Sequence, residues 1–131
     1  MLSKIIILIY GTGIDIIETE RVGSQVDKSR GFRDKVFTPA EIEYCESRKS
    51  RAENYAARFA VKEAFFKALG TGWRGGLAFN EVEVINDDLG KPGLVFYGKT
   101  KEYTEKNIFK DIHVTISHIK SIAVALVIIE K

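Results

Sequence analysis

The sequence predicts an α+β domain with a mainly antiparallel sheet and one long central helix. Isoleucine- and valine-rich runs lie near both ends of the chain, and such β-branched runs are typical of buried strands. Between them, the stretch from Arg51 to Leu69 is rich in alanine and has no glycine or proline, which predicts a long helix. The predicted order β-α-α-β-β-α-β-β favours antiparallel pairing. A length of 131 residues is that of one domain, so residues 1–131 are expected to form a single unit.

The elements of the N-terminal half follow from local signals. The run from Ile5 to Ile17 predicts a strand that is interrupted at Gly11-Thr12-Gly13. The polar segment from Glu18 to Ser29 is interpreted as a short helix. Thr38-Pro39-Ala40-Glu41 has the pattern of a capping box with proline at the first helical position, which predicts a helix from Pro39 to about Arg48.

The C-terminal half begins with the long helix. This helix is expected to end at Gly70, because glycine is favoured just after a helix, and a glycine-rich loop from Gly70 to Gly76 follows. Alternating apolar residues and turn signals then predict four strands and a polar helix. These are the strands Glu81–Ile85, Gly93–Tyr97, Ile112–His118 and Ile122–Ile129, and the helix Thr100–Asn107.

Composition excludes several classes of protein. A hydrophobic content of 45% with a net charge of +2 excludes intrinsic disorder, and a single cysteine, Cys45, excludes a disulfide scaffold. The apolar runs fall far short of the roughly 20 residues that a membrane-spanning helix needs. The sequence pI of about 8.6 is lower than is usual for a nucleic-acid-binding domain. We therefore expect a cytoplasmic protein that binds neither nucleic acid nor membrane.

The long helix carries most of the candidate chemistry. In helical projection, Glu63 and Lys67 lie on one flank of an aromatic stripe, beside alanines that leave room around the carboxylate. Arg58 and Lys62 lie on the other flank. Glu63 and Lys67 also have the spacing of a favoured helix ion pair, so a surface salt bridge is the alternative to a ligand site. For Arg58 and Lys62 the alternative is a solvated edge.

Two further candidates lie on strands. Asp15 stands among isoleucines just after two glycines, where burial is costly unless the carboxylate is paired or bound to a cation. Strand alternation leaves open whether Asp15 faces the core or solvent. His118 ends a predicted strand on the same face as Val114 and Ile116, where a hydrogen-bonded core histidine is the alternative to a ligand.

A basic segment lies between Lys28 and Lys35. Four positive side chains stand there against the single acid Asp34, a net charge of +3 within eight residues. Such a run is either a solvated helix end or a patch for an acidic partner or a phosphate.

Three segments together resemble the holo-acyl-carrier-protein synthase family, the small 4′-phosphopantetheinyl transferases of fatty-acid synthesis. They are residues 11–18 (GTGIDIIE) with Arg21, residues 58–72 (RFAVKEAFFKALGTG) and residues 113–118 (HVTISH). They occur in the family's order over nearly the whole chain, and the second is the most specific. The chain departs from the family in the extra residues before Gly11 and in Ile119, where a small polar residue is commoner.

The resemblance implies a 4′-phosphopantetheinyl transferase-like fold and reaction. In that reaction the phosphopantetheine arm of coenzyme A moves to a serine of an apo acyl carrier protein, releasing adenosine 3′,5′-bisphosphate. Asp15 and Glu63 match the family's metal-binding acids, usually for Mg²⁺, which takes one or two carboxylates besides phosphate oxygens and waters. The family's common assembly is a homotrimer with active sites between subunits.

The resemblance also implies roles for other residues. Lys67 matches a lysine often proposed as the general base. A free lysine is mostly protonated at neutral pH, so the alternative is that Lys67 stabilises phosphate charge while a metal-bound water takes the proton. The residues matched to coenzyme A binding are Arg58, Lys62 and His118, with close backbone approach at Gly70 and Gly72. The residues matched to the acidic helix of the carrier protein are Arg21, Lys28 and Arg30.

Two other functions are compatible with the same domain. One is a non-catalytic module that binds coenzyme A or a carrier protein, and the other is a purely structural domain with a surface Glu63–Lys67 salt bridge. The joint presence of Asp15, Glu63 and Lys67 favours the transferase, because a binding module has no need of two acids beside a polyphosphate.

Overall fold

A three-stranded antiparallel sheet and a two-stranded hairpin surround one long helix in the computed structural model. The model describes residue 4, residues 6–72 and residues 75–131. Ile5, where the first strand was expected to begin, and Trp73 and Arg74 of the expected glycine-rich loop lie outside these residues. The elements are β1 (Ile9–Glu18), α1 (Thr19–Lys28), α2 (Arg30–Val36), α3 (Pro39–Glu46), α4 (Arg51–Leu69), β2 (Val82–Asn86), β3 (Pro92–Phe96), α5 (Gly98–Asn107), β4 (Ile112–His118) and β5 (Ile122–Glu130).

The strands form two sheets with the orders β1-β5-β4 and β2-β3, and every neighbouring pair is antiparallel. Helix α4 packs on the inner face of the larger sheet, where the alternate residues of β5 are fully buried. The main core lies between these two elements because both supply apolar faces to it. The predicted α+β fold, with its antiparallel sheet and long central helix, is confirmed.

Strand β1 is continuous through its glycines, although the sequence predicted an interruption there. Gly11 and Gly13 lie on the inner face, and a Cβ atom at either position would overlap the carbonyl oxygen of Ala68 or Ala64 on α4. These glycines therefore allow the strand and the helix to approach closely. The register shifts once, between Ile9 and Gly11, which leaves Tyr10 as an extra residue in a bulge.

The outer face of the larger sheet is apolar where β1 lies beside β5. Ile14 and Ile16 of β1 are more than 60% exposed, and they stand beside Leu126 and Val124 of β5. No element in the described part of the chain covers this face. Exposed apolar patches on other proteins are commonly sites of interaction.

The helices follow the sequence signals with one exception. Helix α4 has the expected bounds, and it ends at Gly70 with a left-handed φ of 80°. In the capping box of α3, Thr38 Oγ1 accepts the Glu41 N–H and Glu41 Oε1 accepts the Thr38 N–H, although α3 ends at Glu46, two residues earlier than expected. Helix α2 was not predicted. Over the described residues, no helix combines the length and the apolar character needed to cross a bilayer.

Candidate active site

Strand β1 and helix α4 bring three of the predicted residues together. Asp15 shares the inner face of β1 with Gly13, so its side chain faces α4. There, Lys67 Nζ donates hydrogen bonds to Asp15 Oδ1 and to the Ile14 carbonyl oxygen, both at 3.0 Å. The lysine thus pairs with Asp15 on the neighbouring strand, whereas the sequence alternative was a pair with Glu63 along the helix.

The two acids line a cavity of about 470 Å³, which we term the acidic cleft. Its other lining residues come mainly from α1, α2 and α4. They include Arg21, Gln25, Phe32 and Phe59. Helix α1 thereby brings Arg21 to the same space as Asp15 and Glu63.

The electrostatics of the acidic cleft favour a bound cation. Asp15 Oδ2 is buried and has no hydrogen-bond partner among the described residues. Burial raises the pKa of Glu63, and the nearby negative charge of Asp15 raises it further, against the opposing effect of Lys67. An unpartnered carboxylate oxygen beside a second acid fits a hard divalent cation such as Mg²⁺, which prefers oxygen ligands.

A second cavity, of about 580 Å³, lies beside Arg58 and is termed the arginine cavity. The guanidinium groups of Arg58 and Arg48 lie 4.3 and 4.5 Å from the ring centroid of Tyr44. Arg58 is only 6% exposed, and its Nε has no hydrogen-bond partner within the described ranges. His118 also lines the cavity, with Nδ1 3.3 Å from Glu53 Oε2. A buried guanidinium with a free donor is suited to bind an anion.

Tyr44 and Arg48 were not predicted as members of a site. Arg48 belongs to a short basic cluster in the sequence, which was its only signal. The contact between Tyr44 and Arg58 depends on how α3 packs on α4, and no local pattern encodes it.

Lys62 lies elsewhere. It is fully buried, and Nζ donates to Glu41 Oε1 at 2.6 Å, to the Val36 carbonyl oxygen at 2.7 Å and to the Phe79 carbonyl oxygen at 3.1 Å. An ammonium group has three donors, and all three are used here. Lys62 lines neither the acidic cleft nor the arginine cavity, so the structure does not bring it to the other predicted ligands.

The remaining predicted residues lie at the ends of helices. Gly70 and Gly72 both have left-handed φ angles, of 80° and 61°, in the segment that follows α4. No described residue outside their chain neighbours lies within 4 Å of where a Cβ atom would stand at either glycine, which leaves room for a ligand to approach the backbone. Lys28 is the last residue of α1 and is exposed.

One group with metal-ligand chemistry was not predicted. The ligand atoms of Asp111, His113 and Glu130 lie within 4.8 Å of one another at one end of β4 and β5. His113 Nε2 and Glu130 Oε1 are already paired at 2.8 Å, and we assign this exposed group no role.

Comparison with known proteins gives concordant findings. A family model described as the 4′-phosphopantetheinyl transferase superfamily matches residues 11–127. The chain is 47% identical over 124 residues to a holo-[acyl-carrier-protein] synthase from Syntrophus aciditrophicus, covering 94% of this chain and 97% of that protein. It is 44% identical over 125 residues to one from Geobacter sp. strain M21, covering 95% and 100%.

Solved structures agree. A holo-[acyl-carrier-protein] synthase from Neisseria meningitidis superposes with a TM-score of 0.87 at 31% identity, covering 95% of this chain and 100% of that chain. A synthase from Bacillus anthracis, solved in complex with coenzyme A (3′,5′-ADP), gives a TM-score of 0.77 at 40% identity, covering 94% and 97%.

Proposed function

Because the chain belongs to the 4′-phosphopantetheinyl transferase superfamily, we propose that it transfers 4′-phosphopantetheine from coenzyme A to a serine of an apo acyl carrier protein, with Mg²⁺ as cofactor. It is therefore an enzyme, and its nucleotide product is adenosine 3′,5′-bisphosphate. The observation that carries the proposal is the unpartnered Asp15 Oδ2, which lines the acidic cleft together with Glu63. Lys67 is hydrogen-bonded to the other oxygen of the same carboxylate.

Asp15 and Glu63 are the residues that would hold Mg²⁺. When bound, the ion neutralises negative charge on the pyrophosphate of coenzyme A and on the leaving phosphate. Lys67 already occupies Asp15 Oδ1, which leaves Oδ2 for a cation. Burial, and after it the negative charge of Asp15, raise the pKa of Glu63, and a bound cation would act against both effects.

The transfer step forms a bond between the serine oxygen and the phosphorus that carries pantetheine. The bond from that phosphorus to the bridging oxygen breaks, the electron pair leaves with the bisphosphate, and the serine proton passes to solvent. Lys67 Nζ has two acceptors at 3.0 Å, so as an ammonium it retains one N–H for a phosphate oxygen. This arrangement supports charge stabilisation by Lys67 over the role of general base.

The arginine cavity suits the adenosine end of coenzyme A, which carries the 3′-phosphate. Arg58 Nε lacks a partner among the described groups, and Arg48 and His118 add donors to the same cavity. Guanidinium groups bind phosphate through paired, charge-assisted hydrogen bonds. Gly70 and Gly72 remain proposed sites of close backbone approach to the ligand.

The two cavities lie on different flanks of α4, since Arg58 and Glu63 project in different directions from the helix. An active site shared between neighbouring copies would bring one copy's acidic cleft against another's arginine cavity. The apolar outer face around Ile14, Ile16 and Leu126 supports such an assembly, for which we propose a homotrimer.

The carrier protein would approach α1. Arg21 lines the acidic cleft, and Lys28 and Arg30 extend the positive surface to the start of α2. An acidic helix on the carrier protein complements these charges. We further propose that residues 1–131 act as one domain in the cytoplasm, in fatty-acid biosynthesis.

Intact-mass spectrometry tests the proposal. The protein is incubated with coenzyme A, Mg²⁺ and an apo acyl carrier protein, and the carrier is expected to gain one phosphopantetheine mass. Excess EDTA, or alanine in place of the carrier's acceptor serine, is expected to abolish the gain. If the folded protein modifies none of several carriers, the transferase is excluded, and retained coenzyme A affinity then identifies a binding module.

A further inference from the structure

Glu41 and Lys62 form a buried ion pair whose partners come from several elements. Glu41 is 2% exposed and Lys62 is fully buried. Besides Lys62, the Glu41 carboxylate accepts the Thr38 N–H through Oε1 and the Val84 N–H through Oε2, both at 2.9 Å. The pair therefore joins α4 to the N-terminus of α3 and to strand β2.

A buried ion pair contributes little net stability to a protein core. Desolvation of two charges offsets most of their attraction, and apolar residues of similar volume often stabilise a fold as well. A hydrogen-bonded pair differs from apolar packing in being directional. It fixes the distances and angles between the elements that it joins.

The elements that the pair joins are those that form the arginine cavity. Tyr44 lies three residues after Glu41 on α3, and Arg58 lies four residues before Lys62 on α4, so each lies one turn from the pair on the same helix face. The stack of Arg58 on Tyr44 is thus the neighbouring contact between these two helices.

The end of strand β2 also lines the same cavity. Asn86 and Asp87 line the arginine cavity, and Asn86 lies two residues after Val84, whose N–H is held by Glu41. Glu41, Arg58 and Asn86 also line a smaller cavity of about 270 Å³. The same carboxylate thus anchors both α3 and β2 where they face Arg58.

We propose that Glu41 and Lys62 are positioning residues for the arginine cavity, setting the α3 and β2 walls around Arg58 for the phosphorylated adenosine end of coenzyme A. The inference rests on the proposed function, which assigns this cavity to that end of the substrate. The pair acts on nucleotide binding, while the acidic cleft acts on the transfer step.

The test uses a double variant, Glu41→Leu with Lys62→Met, which removes both charges together and keeps a similar volume. Calorimetry gives the Kd for adenosine 3′,5′-bisphosphate, and steady-state assays give KM and kcat. We expect Kd and the KM for coenzyme A to rise about 10- to 100-fold, the effect of losing about one hydrogen bond to a charged phosphate, with kcat changed less than about twofold. A folded double variant with unchanged Kd would overturn the inference.

A second variant decides the question if the double variant does not fold. Glu41→Asp keeps the charge but is one methylene too short to hold Lys62 and the Val84 N–H together. It is expected to raise Kd by at least about threefold, less than in the double variant because the charge is kept, and an unchanged Kd overturns the inference. Glu43→Gln, an exposed position on the same helix, is the matched control. Absence of bisphosphate binding by the unmodified protein would instead overturn the proposed function, and this inference with it.

Discussion

Helix α4 carries two lysine–carboxylate pairs that differ in almost every physical respect. Lys62 and Glu41 are shielded from solvent, and the Lys62 nitrogen and both Glu41 carboxylate oxygens have hydrogen-bond partners in the protein. Lys67 is about half exposed, and its partner Asp15 keeps a carboxylate oxygen without a donor in the described structure. The contrast teaches that an incomplete set of partners, more than the residue types themselves, distinguishes a ligand site from a structural pair.

The largest expected effect follows from neutralising Glu63, the acid beside the Lys67–Asp15 pair. Glu63→Gln should lower the transfer rate by about 10⁴-fold, or roughly 5 kcal/mol, because it removes a charge that the metal site needs. The melting temperature should stay the same or rise, since a like-charge contact with Asp15 is lost. Mass spectrometry of the carrier protein measures the rate, and Glu102→Gln on the exposed face of α5 is the matched control. Activity near the unmodified level would show that Glu63 is not a metal ligand.

The difference between the two lysine–carboxylate pairs is tested by making one substitution at both lysines. Lys62→Met should cost about 3–5 kcal/mol of unfolding free energy, because it leaves the buried Glu41 carboxylate unpaired. Lys67→Met should cost less than Lys62→Met, because the Lys67 side chain is about half exposed and solvent screens its charge, yet it should impair transfer. Urea unfolding at pH 7.5 measures both. Equal losses of stability would erase the distinction between the two pairs.

Mg²⁺ bound at Asp15 and Glu63 should raise the free energy of unfolding. Mg²⁺ at 100 times its Kd should add about 2.7 kcal/mol at neutral pH. The raised pKa of Glu63 means that the folded state holds its proton more tightly than the unfolded state, so stability is lost as pH rises through the window above the ordinary glutamate value. A cation offsets this loss, and its effect should shrink as Glu63 is protonated.

Thermal unfolding with and without Mg²⁺ at pH 7.5 and pH 5 measures this dependence. The double variant Asp15→Asn with Glu63→Gln should show no response to Mg²⁺ at either pH. A response that survives in that variant would point to a different metal site.

The smallest expected effect concerns Thr38, which is hydrogen-bonded to Glu41 of the Lys62–Glu41 pair. Thr38→Ala removes the hydroxyl that caps α3 and that donates to Glu83 Oε1, and it should cost about 1 kcal/mol. Transfer should be unaffected, because Thr38 lines neither cavity. Chemical denaturation measures the stability, and a loss as large as that of Lys62→Met would mean that the cap and the ion pair act as one unit.

The sequence predicted those elements whose signals are local. The bounds of α4 follow from its helix-forming residues and from Gly70, and both bonds of the capping box at Thr38 are present. Helix α2 was missed because only Ser29 separates it from α1, and Ser29 serves as its N-cap. A single non-helical residue within a polar segment leaves little periodicity to detect.

The candidate site was only partly predictable. Alternation could not orient Asp15, because the approach of α4 to Gly11 and Gly13 is what defines the inner face of β1. For Lys62, helical projection gave the right flank but not its neighbours, which are Glu41, Val36 and Phe79, at least 17 residues away in sequence. Which segment covers a helix flank is a property of the tertiary structure.

The alternation of side chains between the two faces of β1 determines where this chain tolerates changes in length. Gly11, Gly13 and Asp15 share one face because each is two residues from the next. Deleting one residue between Gly13 and Asp15 would turn the carboxylate outward and an isoleucine inward. Additions ahead of the bulge at Tyr10 leave Gly11, Gly13 and Asp15 on the same face. Insertions and deletions among functional descendants of this chain should therefore accumulate before Gly11 and be absent from the strand that follows.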